Sequence, residues 1–314
     1  MTRPVFVYKG EALARYGFGP DHPFGEDRHA AFHDALDRSD PHQRIARVPP
    51  VEAPRRLIER FHTPDYVSRV EQLSAQGHGY LDGGDTPVVP GIFEAASTVV
   101  GCTLQAVDAV MNGDARRAFV PIGGLHHAGR DHAAGFCVFN DCGVAIEHLK
   151  THYGLERILY VDIDAHHGDG VYYAFESDPA LVFADLHEDG RFLYPGTGSA
   201  DETGTGAGSG LKLNLPLPPG ADDEAFFAAW PAVEALIERT QPEFFLLQCG
   251  ADSLAGDPLT HLQLTERAHG RVAERLCALA DRYCRGRLVA MGGGGYNRDN
   301  LARAWTRVAQ ALAA

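Results

Sequence analysis

One segment constrains this 314-residue chain more than any other: Ile158-Leu-Tyr-Val-Asp162-Ile-Asp164-Ala-His166-His167-Gly-Asp169-Gly170, an apolar run that ends in three carboxylates and two imidazoles. Side chains alternate faces along an extended chain, so Asp162, Asp164 and His166 begin on one side of the strand. Carboxylates held that close beside a buried strand repel one another and resist desolvation unless cations sit among them. The run therefore favours a metal site at the end of a buried strand.

Short β-branched or aromatic runs alternate with amphipathic stretches of helical period along the rest of the chain, the pattern of a parallel sheet covered by helices on both faces. Strands are expected at Val5–Tyr8, Ala118–Ile122, Ile158–Ile163, Leu181–Leu186, Phe244–Gln248 and Arg287–Met291, with a further one within Leu211–Leu217. Helices are expected at Pro54–Arg60, Pro64–Ala75, Pro90–Met111, Asn140–Tyr153, Asp223–Arg239, Thr265–Tyr283 and Arg298–Ala311. The glycine-rich stretch Gly196–Gly210 runs straight into a strand-like segment, so it reads as a long loop within one domain spanning 1–314.

Composition narrows the function. With 28 basic against 42 acidic residues the formal charge is -14, which argues against tracking nucleic acid or an anionic membrane. No apolar stretch approaches the roughly twenty residues that span a bilayer, and the start shows no signal-peptide pattern, so a cytoplasmic location is expected. The six cysteines are scattered, lack a CxxC pair and read as reduced thiols. Homo-oligomer formation is left open.

Four expected strands run directly into unusual polar sequence: Gly123-Gly-Leu-His126-His127, Asp162 to Asp169, Gly250-Ala-Asp252 and Gly292-Gly-Gly-Gly-Tyr296. Each alone has an ordinary structural account as a turn or a helix cap. In an open parallel sheet, however, the carboxyl ends of the strands form one edge, where such folds bind ligands, so the four would converge. Asp164, His166 and Asp252 are then three candidate ligands; two carboxylates and one imidazole suit Zn(II), with Fe(II), Co(II) and Mn(II) as alternatives. His126 and His127 are the candidate bases, Asp162 and Asp169 the carboxylates that would orient them, and Tyr296 a candidate donor to a developing oxyanion.

With these residues in view, the chain resembles the zinc-dependent histone deacetylase family, in particular its bacterial members. The motifs that carry the resemblance are Gly-Gly-Leu-His126-His127-Ala, Gly135-Phe136-Cys137, Asp162-Ile-Asp164-Ala-His166-His167-Gly-Asp-Gly, Tyr194-Pro-Gly-Thr-Gly198, Gly-Ala-Asp252 with Gly256-Asp-Pro258, and Gly-Gly-Gly-Gly-Tyr296. The resemblance implies an α/β, three-layer arginase/deacetylase fold with a central eight-stranded parallel sheet between helical layers. It implies that Asp164, His166 and Asp252 hold zinc, that His127 with Asp169 is base and then acid, that His126 with Asp162 is chiefly electrostatic, and that Tyr296 stabilises the oxyanion. Gly135, Phe136 and Tyr194 would line an acyl-lysine tunnel. A monovalent cation, K(+) or Na(+), is implied around Asp162, Asp185, Leu186 and Phe175, with Asp185 standing where relatives usually carry serine. A second metal of the arginase type is not expected, because Gly168 and Gly250 occupy the places where its carboxylates would stand.

Two positions bear on substrate. Leu259 stands where polyamine-selective relatives carry glutamate, and Asp85 matches a rim aspartate that clamps the backbone of acyl-lysine substrates. Both favour an acylated lysine in a protein or peptide. The alternatives are a small acylamine such as an acetylpolyamine, or a catalytically silent module that only binds acyl-lysine.

Overall fold

In the computed structural model, residues 3–39 and 44–314 are described. Eight strands form one sheet, β1 (Val5–Tyr8), β2 (Ile45–Val48), β3 (Arg117–Val120), β4 (Ile158–Asp162), β5 (Leu181–Glu188), β6 (Lys212–Leu217), β7 (Phe244–Gln248) and β8 (Leu288–Met291), in the order β2-β1-β3-β8-β7-β4-β5-β6. Every pairing is parallel. The register sets the ends of the central strands level: Val120 lies opposite Met291, Met291 opposite Gln248, Gln248 opposite Asp162, and Asp162 opposite Asp185. The four polar segments therefore leave the sheet in one row.

Ten helices accompany the strands among the described residues: α1 (Glu11–Ala14), α2 (Asp27–Arg38), α3 (Arg55–Ile58), α4 (Pro64–Gln76), α5 (Ile92–Asn112), α6 (Asp141–Thr151), α7 (Asp169–Phe175), α8 (Asp223–Thr240), α9 (Glu266–Cys284) and α10 (Arg298–Ala313). Strand residues alternate between two cores. Ile158 and Tyr160 pack with α4, α5 and α6 on one face, whereas Leu159 and Val161 pack with α8, α9 and α10 on the other. Both faces of the sheet are buried, which is why the central strands read as continuous apolar runs. The result is the three-layer arrangement that the resemblance implies.

Local chemistry sets the helix starts. Asn140 accepts from Gly143 N, Asp222 from Glu224 N and Ala225 N, and Asn297 from Asp299 N and Asn300 N, each side chain satisfying N–H groups that the first turn leaves free. Four elements lie outside the sequence expectation, the single-turn α1 among them. β2 is a four-residue edge strand, half-buried throughout, with no alternation to reveal it. α2 buries Arg28, His29 and His33 alongside Phe32 and Leu36, so its inward stripe is too polar to read as one. α7 starts at Asp169 within a Gly-Asp-Gly sequence that reads as a turn.

Candidate active site

Asp164, His166 and Asp252 come together just past the ends of β4 and β7, buried, with one ligand atom from each lying within 4.8 Å of the others. His166 Nδ1 is 3.0 Å from Asp164 Oδ1 and 3.2 Å from Asp252 Oδ2. Asp252 Oδ1 accepts from Ala165 N (2.9 Å), while its Oδ2 is buried without a hydrogen-bond partner. Burial and the charge of Asp164 push the Asp252 carboxyl up to about 7. Burial alone would lower His166, yet the hydrogen bond to Asp164 and the nearby charges of Asp252 and Asp164 raise it to about 10. An orphaned carboxylate oxygen facing a second carboxylate and an imidazole is a donor set that fits a divalent cation.

Two glycines leave room for that cluster. A Cβ at Gly250 would lie 1.9 Å from Asp164 Oδ2, and one at Gly294 would lie 2.0 Å from Asp252 Oδ2. A side chain at position 250 would collide with Asp164 as it stands.

The paired histidines stand beside this group, each with a carboxylate behind it. His126 Nδ1 is 2.8 Å from Asp162 Oδ2 and His127 Nδ1 is 2.6 Å from Asp169 Oδ1. Their Nε2 atoms lie 3.1 Å apart. Burial opposes charge on His126, but Asp162 and Asp164 outweigh it and raise the ring to about 10. Burial and the charge of His126 together hold His127 below its ordinary value, leaving a neutral imidazole able to take a proton.

Aromatic rings wall the approach. Tyr194 meets His127 at 5.2 Å and His166 at 6.3 Å between ring centroids, and Phe136 meets Tyr296 edge-on at 5.8 Å. A Cβ at Gly135 would collide with the His127 ring, at 2.5 Å, so only glycine lets this segment pass. Burial lifts the Tyr296 phenol well above its usual value and keeps it a donor. Arg28, fully buried, donates to the carbonyls of Gly293 (2.6 Å) and Gly295 (2.9 Å) and so pins the glycine run that carries Tyr296. Asp257 Oδ2 accepts from Tyr296 N at 2.8 Å. Asp85 and Leu259 are exposed, Leu259 at 37%.

The expected monovalent-cation group is brought together only in part. Asp185 lies opposite Asp162, but its Oδ1 is 2.8 Å from His187 Nδ1 and its Oδ2 accepts from Gly168 N at 2.8 Å. His187 Nε2 faces the Gly198 carbonyl (2.9 Å), so both ring nitrogens face acceptors and the ring pairs with Asp185 as a cation. Leu186 is buried in the core beneath. Phe175 packs on Phe61, its carbonyl accepts from Asp178 N at 3.0 Å, and among the described contacts nothing ties it to Asp162 or Asp185.

Several supporting residues escaped the sequence reading. Gln248 donates to Asp164 Oδ2 (2.9 Å) and Gly124 O (3.2 Å) while accepting from Gly250 N (2.7 Å), stitching three of the four segments together. Asp141, buried at the start of α6, accepts from Gly124 N, Leu125 N and the Thr103 hydroxyl, and Asn140 donates to the carbonyls of His126 and Ala128. The available signal was position: Gln248 is a polar residue closing an apolar strand, and Asn140-Asp141 opens a helix.

A parallel sheet whose carboxyl edge gathers three buried side chains able to hold a metal, a carboxylate-backed histidine pair and a partly buried tyrosine defines a hydrolase that works on a polarised carbonyl. A family model described as the histone deacetylase domain matches residues 22–312. Acetoin utilization protein AcuC of Bacillus subtilis (strain 168) is 38% identical, over 98% of this chain and 81% of that protein. Histone deacetylase clr6 of Schizosaccharomyces pombe is 33% identical, over 97% of this chain and 75% of that protein. Among solved structures, the HDA15 HD domain superposes with a TM-score of 0.91 at 27% identity, covering 100% of this chain and 89% of that one. The chain belongs to the histone deacetylase family, and it is a hydrolase that deacetylates amides.

Proposed function

We propose that the protein is a zinc-dependent deacetylase that frees the ε-amine of lysine, in proteins or peptides, from acetyl or another short acyl group. The observation that carries this reading is the orphaned Asp252 Oδ2, facing Asp164 and His166 beside a neutral His127. Asp164, His166 and Asp252 would hold the ion, and zinc bound there supplies Lewis acidity toward water and the amide carbonyl. His127 Nε2 takes the proton of the attacking water while Nδ1–H stays on Asp169, and it then returns that proton to the departing amine. Tyr296 donates its phenolic hydrogen to the oxyanion, and the charged His126–Asp162 pair stabilises the same negative charge.

Phe136 and Tyr194 would grip the methylene stem, with Asp85 at the rim holding the peptide backbone. Leu259, exposed, offers no carboxylate to a distant ammonium. A monovalent cation would rest on Asp162 and neighbouring carbonyls, since Asp185 is claimed by His187 and Gly168. Residues 1–314 would act as one catalytic domain. Six unpaired, buried cysteines, and the absence among the described residues of any helix long and apolar enough to cross a membrane, support a cytoplasmic setting.

Metal analysis joined to a two-substrate comparison tests the proposal. One zinc per chain and a wide preference for an acetyl-lysine peptide over acetylputrescine are expected. The reverse ranking would make the protein an acylamine deacetylase, and a zinc-loaded chain inactive on both would leave only binding.

A further inference from the structure

The turn at the rim carries a carboxylate to which the chemistry assigns no task. Tyr80 and Pro87 face each other in an antiparallel bridge, Leu81 N donates to Thr86 O (2.8 Å) and Val88 N donates to Gly79 O (2.9 Å), so 79–88 is a small closed loop. Asp82 lies inside it, half-buried, and its Oδ1 accepts from Gly84 N, Asp85 N and Thr86 N, each at 2.9 Å. Gly84 has φ 142°, a conformation other residues rarely adopt, so the turn depends on such internal bonds. Partial burial opposes the charge on Asp82, but the Thr86 hydroxyl and the three N–H groups hold its carboxyl below the usual range.

Two side chains leave this turn toward the mouth. Asp85 is exposed there. Thr86 is fully buried and its Oγ1 accepts from Phe136 N at 3.1 Å. Phe136 has φ 68°, a left-handed conformation that a bulky residue rarely adopts and that persists only where its surroundings hold it. It is held from both sides, by Thr86 at its N–H and by the Tyr16 hydroxyl, which donates to its carbonyl at 2.7 Å. The Asp85 carbonyl also lies 3.3 Å from His22 Nε2, and the His22 ring meets Phe136 at 4.6 Å. One carboxylate thus stands behind both the rim and the tunnel wall.

We infer that Asp82 is a positioning residue for peptide substrates: by gathering three N–H groups it aims Asp85 at the substrate backbone and, through Thr86, holds Phe136 as a wall. This rests on the acyl-lysine reading of the site. Asp82 touches neither the reacting atoms nor the metal pocket, so it sets how tightly a peptide is held and leaves the cleavage of a bound amide unchanged.

The test compares Asp82→Ala with Asp82→Asn, whose amide oxygen still accepts the three bonds. For Asp82→Ala, KM for an acetyl-lysine peptide rises about tenfold with kcat within about twofold, as expected when hydrogen bonds that act only in binding are lost. Asp82→Asn stays close to the wild type, and in Asp82→Ala KM for acetylputrescine, which meets the Phe136 wall but offers Asp85 no flanking backbone, rises clearly less than KM for the peptide. Amide exchange, followed by mass spectrometry of peptides spanning 79–88 and 133–139, speeds up in Asp82→Ala and not in Asp82→Asn. Unchanged peptide KM together with unchanged exchange at 133–139 overturns the inference, as does an equal loss on both substrates. If the wild type itself prefers acetylputrescine, the acyl-lysine reading falls on its own, and the exchange rates alone decide whether Asp82 holds Phe136.

Discussion

The chain contains two histidine doublets that look alike on paper and are built for different work. In His126-His127 both rings turn into the site, and each is backed by a carboxylate at 2.6–2.8 Å. In His166-His167 only the first ring does so. His167 turns the other way, its Nδ1 2.8 Å from the Thr197 hydroxyl and its ring against Tyr172 and His187, and burial pushes it down to about 3. The first doublet follows a turn that Asp141 folds back on itself, which brings successive residues to one side. The second follows a bend at Asp164–His166 just past the end of β4, and its two rings find separate partners, Asp164 for His166 and Thr197 for His167.

Breaking the first doublet has the largest expected effect. His127→Ala should lower kcat/KM by about 10²- to 10⁴-fold, the usual worth of a positioned acid–base group, with metal content unchanged. Preserved activity in a metal-loaded variant would remove His127 from the chemistry. Asp169→Asn should cost less, about 10- to 100-fold, because the ring remains but loses the carboxylate that fixes its tautomer. An effect as large as that of His127→Ala would make Asp169 an equal participant.

The second doublet sharpens the contrast. His167→Asn should leave kcat/KM within about threefold while lowering unfolding stability by about 1–2 kcal/mol, the cost of one buried hydrogen bond and its packing. A loss of activity without a loss of stability would contradict its structural assignment.

The smallest effect concerns what supports the first doublet. His62 Nε2 accepts from Asn140 N at 2.8 Å, and Asn140 in turn holds the His126 and Ala128 carbonyls. Burial lowers His62 from 6.5 to about 3. Between those values the unfolded chain binds a proton that the folded chain excludes, so this contribution is complete above pH 6.5 and is lost as pH falls toward 3. His62 should contribute about 1–2 kcal/mol of the stability lost in urea titrations between pH 6.5 and 5, beside His29, His33 and His167, which burial also lowers, and His62→Gln should reduce the slope by that share. An equal slope in the variant would assign the acid sensitivity elsewhere.

The doublets also mark how far the residues alone could be read. Alternation along an extended chain placed Asp164 and His166 on one side and His167 on the other, and the apolar runs marked the central strands because those strands are buried on both faces. The convergence of four strand ends followed from the parallel arrangement. Roles for individual side chains rested on the family resemblance. Gln248, Asp141, Asn140 and Arg28 stayed hidden because their importance comes from register and from partners far away in sequence, such as Gly293 and Gly295 for Arg28. Asp185 was legible as a departure, but its pairing with His187 needed the sheet to be drawn.

The strand order has a consequence for how the enzyme comes into being. β7, which leads to Asp252, lies between β4 and β8, so the third ligand arrives only when a late segment is inserted between an earlier strand and one later still. Such non-local closure is paid for in chain entropy before any contact rewards it, and it makes folding slow compared with local assembly. A nascent chain that has made β4 owns two ligands, Asp164 and His166, and no pocket. Recovery of activity after dilution from denaturant should therefore lag behind recovery of helix signal, and activity itself reports that the centre of the sheet has closed.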